Sequence, residues 1–491
     1  MSFNSIHFII FFPVVTIIYF IIPQKIKCLW LLISSYYFYM SWNPKYAILI
    51  AFSTLTTYIA GLLIDISNKN NSILLKKLFL SLSLIINLGI LFLFKYCNFF
   101  IDIISSIGSY LNVTLSMPSF NYLLPVGISF YTFQCISYTI DVYRNDISSE
   151  KNLVKYALFV TFFPQLVAGP IEKSKDLLYQ FNKSNKFDYY RVKDGLIQML
   201  WGFFKKIFIA DRLSTLVNTV YNSPSDYAGF QFIISTIFFT FQIYCDFSAY
   251  SDIAIGCAKI LGFSLSQNFR QPYLSKSIKE FWRRWHITLG SWFKDYLYIP
   301  LGGNRYGKFR TYINIMIVFL ASGLWHGASI TFILWGFLHG SYQILGDILK
   351  PLKEKIIKVF NINTSVFSFK LFQNILTFIL VNFAWIFFRA NSFSDLIIIL
   401  KNLFVFNPWI LTDGSLYNLG LESGDFFMAI IGILIVVFMD YLQSRINLLN
   451  KLSEQNLIFR WSVYVISIIF ILIFGIYGNS YSEAQFIYFQ F

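Results

Sequence analysis

Charged side chains are scarce in this sequence. Only 13% of its 491 residues are Asp, Glu, Lys or Arg, against about 25% in an average soluble protein. Hydrophobic residues make up 56%, and a soluble fold of this size has too little interior to bury so many apolar side chains. The composition therefore excludes a string of soluble domains and predicts an all-α polytopic membrane protein.

Cysteine pairs and nucleotide-binding loops are also missing. The five cysteines are an odd number and include no CxxC pair, which argues against a disulfide framework and against a Cys/His metal site. The sequence has no glycine-rich phosphate loop and no GxSxG motif. We therefore expect buried free thiols, no bound metal or other resident cofactor, and no hydrolase of the Ser/His/Asp type.

Thirteen apolar stretches come close to the length of a membrane span, which needs about 20 residues. Lys and Arg concentrate between them, and cytoplasmic loops of membrane proteins carry such an excess. The net charge of +15 is therefore assigned to loops that face anionic lipid headgroups, and no nucleic acid is expected as a partner. The stretches lie near residues 6–22, 29–43, 46–66, 78–96, 121–141, 154–169, 195–210, 229–256, 312–325, 328–348, 371–388, 427–442 and 460–478.

The stretch at 154–169 is predicted to be re-entrant or interfacial. It ends in FFPQLVAGP, in which the prolines interrupt a helix. About twelve transmembrane helices then remain in a single domain of residues 1–491, with both termini outside the cytoplasm. On this topology 31 of the 39 basic residues are cytoplasmic. Residues 264–311, with nine basic and two acidic side chains, form a cytoplasmic layer of interfacial and re-entrant helices, and the chain is expected in the cell membrane.

Two lysines do not fit this topology. Lys205 and Lys206 lie within the span at 195–210, where ionisable side chains are costly. Either that helix is displaced toward the cytoplasm or the two lysines line a polar cavity. The sequence leaves both explanations open.

His326 is the most conspicuous of only four histidines. It lies fourteen residues beyond the start of a span at Tyr312, a rise of about 21 Å in a hydrocarbon core of about 30 Å. Neighbouring glycines in ASGLWHGAS allow a helix break, which is tolerated only inside protein or along a cavity. A neutral imidazole there is either a general base or a hydrogen-bonded packing residue. His339 is expected to be structural, and His7 is given no role.

His286 belongs to the segment KEFWRRWHITLGSWF at 279–293. At helical spacing its aromatic residues share one face, and Lys279, Arg283 and Arg284 lie toward the other. The pattern predicts one interfacial amphipathic helix with a basic outer side. His286 is then either an anchoring ring or part of a site.

Acidic residues also occur inside an apolar span. The segment CDFSAYSDIAIG places Asp246, Tyr250 and Asp252 in otherwise hydrophobic surroundings. Such a group could orient a histidine or line a polar tunnel. It could equally be a hydrogen-bonded contact between helices, and the sequence does not decide.

Nine motifs, in this order along the chain, resemble the membrane-bound O-acyltransferase (MBOAT) family, in the branch of the alginate O-acetylation protein AlgI. The series runs nearly from end to end and is therefore far more specific than any single piece. The motifs are FNSIHFIIFFPVV (3–15), LPVGISFYTFQ (124–134), FFPQLVAGPIEK (162–173), FFKKIFIAD (203–211), CDFSAYSDIAIG (245–256), FWRRWHITLGSWFKDYLYIPLGGNR (281–305), SGLWHGAS (322–329), FRANSFSD (388–395) and FIYFQF (486–491).

The resemblance implies an acyltransferase in which His326 is the catalytic histidine and general base. It makes His286 the second active-site position, which orients the thioester or stabilises the developing oxyanion. The family's helices surround a thin centre where a cytoplasmic and an outer cavity meet, and Trp325 would lie at that tunnel.

The last residues fit the pattern FxYxxF, with Phe486, Tyr488 and Phe491. In related D-alanyl transfer systems a small partner protein ends in this motif, and its tyrosine hydroxyl receives the acyl group. Here the motif belongs to the enzyme, in a tail, 479–491, that is predicted to be extracytoplasmic. Tyr488 is therefore either an acyl relay or an aromatic interfacial anchor.

The resemblance also implies a donor and partners. The donor would be a thioester, either acetyl-CoA or an acylated carrier protein, docking near Lys279, Arg283 and Arg284. An extracytoplasmic SGNH-hydrolase-like enzyme would pass the acyl group to an envelope or extracellular polysaccharide. D-alanyl transfer to teichoic acid is one alternative. A polysaccharide or lipid transporter, which would also have about twelve spans, is another.

Overall fold

The computed structural model describes residues 1–112, 124–477 and 486–487, and throughout these residues the regular structure is helical, without strands. The chain divides into two compact units. The first comprises Met1–Met199 and Tyr250–Ser266, and the second comprises Leu200–Ala249 and Gln267–Phe491.

The described residues include six helices that are long and apolar enough to cross a membrane. A seventh apolar helix, Ile6–Ile21, is shorter. The all-α polytopic membrane fold is thereby confirmed, whereas the count of twelve spans stays a prediction. The six helices are Lys45–Lys69, Ile73–Tyr110, Phe230–Leu261, Phe367–Arg389, Ser423–Gln443 and Leu457–Phe474.

The first unit contains the stretch that was expected to be re-entrant. Its helix ends at Thr161, and the buried segment that follows, through Pro170, is irregular, because the prolines cannot continue a helix. The helices of this unit are Ile6–Ile21, Gln24–Met40, Lys45–Lys69, Ile73–Leu91 with the π-helical turn Phe92–Tyr96, Cys97–Tyr110, Ile128–Tyr143, Leu153–Thr161, Ser174–Gln180, the start of Tyr189–Phe203 and the end of Phe230–Leu261.

The second unit contains three of the four histidines. Its helices are the end of Tyr189–Phe203, the π-helical turn Phe204–Ala210, Asp211–Asn222, the start of Phe230–Leu261, Ile278–Arg284, Ile287–Phe293, the π-helical turn Lys294–Tyr298, Gly307–His326, Ile330–Ile348, Lys350–Val359, Phe367–Arg389, Phe393–Asn402, Ser423–Gln443, Leu448–Ser453 and Leu457–Phe474. Short 3-10 turns lie at Pro224–Asp226, Pro272–Leu274, Pro408–Leu411 and Ser415–Asn418.

Two helices of this unit, Gly307–His326 and Ile330–Ile348, form what we call the histidine hairpin. Glycines let their backbones touch: a Cβ on Gly323 would lie 2.3 Å from the Phe332 carbonyl oxygen. A Cβ on Gly336 would lie 2.3 Å from the carbonyl oxygen of Phe319. Small residues at such positions allow membrane helices to pack closely. His326 is the last residue of its helix in this hairpin.

The prediction of a single amphipathic helix over 279–293 is wrong. The segment forms two short helices that break at Trp285 and His286. His286 has a left-handed backbone with φ 44°, which an α-helix does not contain. A neighbouring segment of the same chain stabilises this break, since the amide of Ile287 donates to the Asn268 carbonyl at 3.0 Å.

Candidate active site

His326 lies in an aromatic enclosure within the second unit. The ring is 3% exposed, and its centroid is 5.0 Å from that of Trp325, 5.1 Å from Trp335 and 5.3 Å from Phe388. The helix ends at this residue because Gly327 continues in an extended conformation. A side chain at position 327 would meet the Phe332 ring, so only glycine lets the chain turn away here.

His286 lies next to His326. Their ring centroids are 6.5 Å apart, and the His286 ring also contacts Phe247 at 4.7 Å and Trp325 at 6.0 Å. The side chain is 1% exposed. Three segments distant in sequence thus converge on two imidazoles, and the left-handed backbone of His286 belongs to the class of strained positions that cluster at functional sites.

The hydrogen bonds of His286 define its tautomer. Its Nδ1 lies 3.1 Å from the Asn268 side-chain oxygen, which also accepts from the backbone amide and the hydroxyl of Thr288. An amide oxygen is only an acceptor, so Nδ1 carries the proton and Nε2 the lone pair. Burial lowers the pKa of His286 to about 3, which keeps the ring neutral at physiological pH.

The neutral state of His286 has a consequence for stability against pH. Because the folded pKa lies below the ordinary value of about 6.5, the folded protein binds fewer protons than the unfolded chain between these two values. The stabilisation is complete above pH 6.5 and is lost as the pH falls toward 3. At pH 5 we expect a loss of about 2 kcal/mol in the free energy of unfolding.

Thermal unfolding of the purified protein from pH 7.5 to 5 measures this loss. The control is His286→Asn, because asparagine tolerates a left-handed backbone and keeps a donor for Asn268. The variant should lose less stability than the wild type on acidification. Parallel losses would contradict a neutral, buried His286.

Lys206 belongs to a buried ion cluster, which neither sequence explanation anticipated. Its ammonium is 2.7 Å from an oxygen of Asp246 and 2.9 Å from Asp211. Lys205 donates to the Ser248 hydroxyl at 2.6 Å. Both lysines follow Phe204 in the π-helical turn Phe204–Ala210, which we call the Lys206 turn. Buried charges need such partners, and KK followed by an Asp within an otherwise apolar segment was the signal available in the sequence.

The two other candidates from the segment CDFSAYSDIAIG, Asp252 and Tyr250, belong to the first unit. Asp252 accepts a hydrogen bond from Gln198 at 3.2 Å. Tyr250 is buried, with its ring 4.6 Å from that of Phe3. Their roles as tunnel or orienting residues stay predictions.

The basic side chains proposed for donor docking lie on the helix Ile278–Arg284. Lys279 and Arg283 are exposed, whereas Arg284 is partly buried and pairs with Glu280 at 2.7 Å. His339, expected to be structural, is buried and accepts a hydrogen bond from Trp282 at 3.2 Å. Tyr488 lies outside the described residues.

Sequence reasoning missed Asn268, whose side chain holds His286. A single asparagine in a loop carries no sequence signal of that role. Among the residues that the structure describes, no group of three His, Cys, Asp or Glu side chains could hold a metal ion. The arrangement that stands out is therefore two adjacent imidazoles within an aromatic enclosure, which suits proton transfer.

The chain belongs to the MBOAT, membrane-bound O-acyltransferase family, whose model matches residues 142–392, and it is an O-acyltransferase. It is 37% identical over 90% of its length to a Pseudomonas syringae pv. tomato protein named "Probable alginate O-acetylase AlgI", covering 82% of that protein. It is 36% identical over 86% of its length to a Helicobacter pylori peptidoglycan O-acetyltransferase, covering 82% of it. A Streptococcus thermophilus teichoic acid D-alanyltransferase is 28% identical over 54% of this chain and 71% of its own.

Proposed function

We propose that this chain takes an acetyl group from a cytoplasmic thioester and delivers it across the cell membrane for O-acetylation of an extracellular or envelope polysaccharide. The observation that carries the proposal is the adjacent pair His286 and His326. The similarity to proteins named for alginate and peptidoglycan acetylation supports an acetyl group and a glycan acceptor.

The chemistry assigned to His326 is general-base catalysis. Its imidazole takes the proton of an acceptor hydroxyl as that oxygen attacks the thioester carbonyl. An oxygen–carbon bond forms, the carbon–sulfur bond breaks, and the leaving thiolate recovers the proton from the imidazolium. Since the ring is 3% exposed, donor binding must displace part of the surrounding aromatic side chains.

His286 is assigned to orientation. Because the single proton of the attacking hydroxyl goes to His326, His286 orients the thioester instead: its ring, held by the hydrogen bond from Nδ1 to Asn268, lies 6.5 Å from that of His326 and fixes the position of the carbonyl by packing. The same tautomer does not donate from Nε2, so of the two roles expected for this residue the structure favours orientation over oxyanion stabilisation. A buried neutral ring does this without changing charge near pH 7.

The donor is assigned to the cytoplasmic side. Lys279 and Arg283 are exposed, and the basic excess of residues 264–311 suits an acidic donor, either acetyl-CoA or an acylated carrier protein. The first acceptor is Tyr488, and an extracytoplasmic SGNH-hydrolase-like partner moves the acetyl group to the polysaccharide. Both termini lie outside the cytoplasm in this arrangement.

Deleting the gene and restoring it tests the proposal. Without the chain, the surface polysaccharide should be made and exported in normal amount but should lack acetyl esters, as measured by mass spectrometry of the purified polymer. The restored gene should return the esters. Loss of export with esters unchanged on residual polymer would instead identify a transporter, and D-alanyl esters lost from teichoic acid would identify the alternative acceptor.

Tyr488→Phe tests the relay. Phenylalanine keeps an aromatic anchor but removes the nucleophilic hydroxyl, so we expect polymer acetylation to fall at least 100-fold at an unchanged protein level. Tyr477→Phe, which changes another tyrosine near the C-terminus, is the control and should acetylate normally. Full acetylation by Tyr488→Phe would end the relay hypothesis while leaving the enzyme's class intact.

A further inference from the structure

Two residues near the C-terminal end of the chain are deeply buried. Phe486 is 1% exposed and Ile487 is 5% exposed. Ile487 packs in the hydrophobic core of the second unit, the core that also contains Trp335 and Phe388 beside His326. Residues near a chain end are usually poorly ordered unless specific contacts hold them. Such contacts must therefore hold Phe486 and Ile487.

The buried ion cluster supplies those contacts. The ammonium of Lys206 lies 4.4 Å from the centroid of the Phe486 ring, within the range of a cation–π interaction. The backbone N–H of Ile487 donates to Asp246 Oδ2 at 2.6 Å. The tail is thus bound through one aromatic ring and one peptide group.

The charges of the cluster explain why it binds a peptide N–H. Lys206 is shared between Asp246 and Asp211, so two carboxylates face one ammonium, and a buried carboxylate oxygen requires a donor. Asp246 uses Oδ1 for Lys206 and Oδ2 for Ile487. The tail amide therefore meets part of the hydrogen-bonding requirement of the cluster.

The Lys206 turn and Arg212, two residues after it, also hold the chain before the tail. The amide of Ile476 donates to the carbonyl oxygen of Ile207 at 3.0 Å, and Arg212 donates to the carbonyl of Phe474 at 2.7 Å. Attachment to one short stretch thus occurs on both sides of residues 478–485, which lie outside the described residues. π-helical turns of this kind occur frequently at functional sites.

We propose that Lys206 and Asp246, braced by Asp211, form a docking site for the enzyme's own C-terminal tail. The site recognises the ring of residue 486 and the peptide N–H of residue 487, and so fixes the peptide unit between Phe486 and Ile487, the two residues that precede Tyr488. Lys206 and Asp246 are positioning residues for the acyl acceptor. The docking stands on the contacts alone, whereas its purpose rests on the function proposed above.

Hydrogen exchange of the full-length protein in lipid nanodiscs tests the docking without using activity. Asp246→Asn replaces one carboxylate oxygen with an NH2 group, which cannot accept a hydrogen bond, so either Lys206 or Ile487 then faces a donor instead of an acceptor. We expect the amides of the C-terminal peptide to exchange at least 10-fold faster than in the wild type. Asp440→Asn is the matched control, because Asp440 is a buried carboxylate of the same unit that accepts hydrogen bonds from Tyr244.

Exchange in the histidine hairpin reports whether the Asp246→Asn protein is folded. If that variant does not fold, Phe486→Leu keeps an apolar side chain and removes the ring, and it too should accelerate exchange of the tail. Unchanged exchange in the folded variant, or in Phe486→Leu, would overturn the docking site. Equal acceleration in Asp440→Asn would overturn it as well, because the effect would then be general.

Acetylation of Tyr488 tests the purpose of the docking. With acetyl-CoA as the donor, mass spectrometry of the C-terminal peptide should show at least 10-fold less acetyl-Tyr488 in Asp246→Asn. Faster tail exchange with a normal amount of acetyl-Tyr488 would keep the docking and reject its positioning role, whereas unchanged exchange would reject the docking whatever the acetylation shows.

Discussion

Replacing His326 with alanine should lower acetyl transfer by about 100-fold or more, the usual size of a general-base contribution. The substitution removes the only group in the proposed mechanism that takes the acceptor proton. The ring lies against Trp325, Trp335 and Phe388, so its loss also leaves a small cavity. Initial rates of transfer from acetyl-CoA, measured with purified protein in nanodiscs, provide the test.

Two variants separate the chemistry of His326 from its packing. His326→Gln fills most of the same volume but cannot act as a base at neutral pH, so it should be as inactive as alanine with smaller loss of thermal stability. His7→Ala changes an exposed histidine and should transfer normally. Substantial transfer by the glutamine variant at a normal protein level would remove His326 from the mechanism.

Replacing Gly336 with alanine should lower the free energy of unfolding by about 3 kcal/mol, at the upper end of the usual cost of overpacking. The added Cβ would lie 2.3 Å from the carbonyl oxygen of Phe319, which is backbone and cannot rotate away. The two helices of the histidine hairpin must then separate. Because His326 ends one of them, transfer should fall together with stability.

Gly346 provides the matched control for this prediction. It lies on the same helix, Ile330–Ile348, but a Cβ there would have nothing within 4 Å. Alanine is favoured over glycine within helices by about 1 kcal/mol, so Gly346→Ala should be neutral or slightly stabilising. If thermal unfolding in nanodiscs showed equal effects for both substitutions, close backbone packing of the hairpin would be rejected.

The sequence predicted much of the helical architecture, but helix ends were less accurate. The span expected at 229–256 is the helix Phe230–Leu261, and the one expected at 371–388 is Phe367–Arg389. Long apolar runs are strong signals because hydrocarbon favours helices whose backbone hydrogen bonds are internal. The helix Phe393–Asn402 was not anticipated, since its short apolar run resembles a loop segment.

Only part of the candidate site could be predicted from the sequence. Motif resemblance selected His286 and His326, and the structure places their rings together. The motifs did not indicate the left-handed backbone at His286 or the hydrogen bond from its ring to Asn268, because both depend on a chain segment nearly twenty residues away. Likewise, helical periodicity predicted a continuous helix where a tertiary hydrogen bond imposes a break.

The sequence alone determined that the chain is a polytopic helical membrane protein, since scarce charge and abundant apolar surface leave no soluble alternative. It also determined membership of the MBOAT family through an ordered series of motifs. Only the tertiary structure decided that Lys206 is paired with Asp246 and Asp211, and that Asp246 binds the amide of Ile487. Buried charges select partners by distance in space, and such distances are set by packing between helices that are remote in sequence.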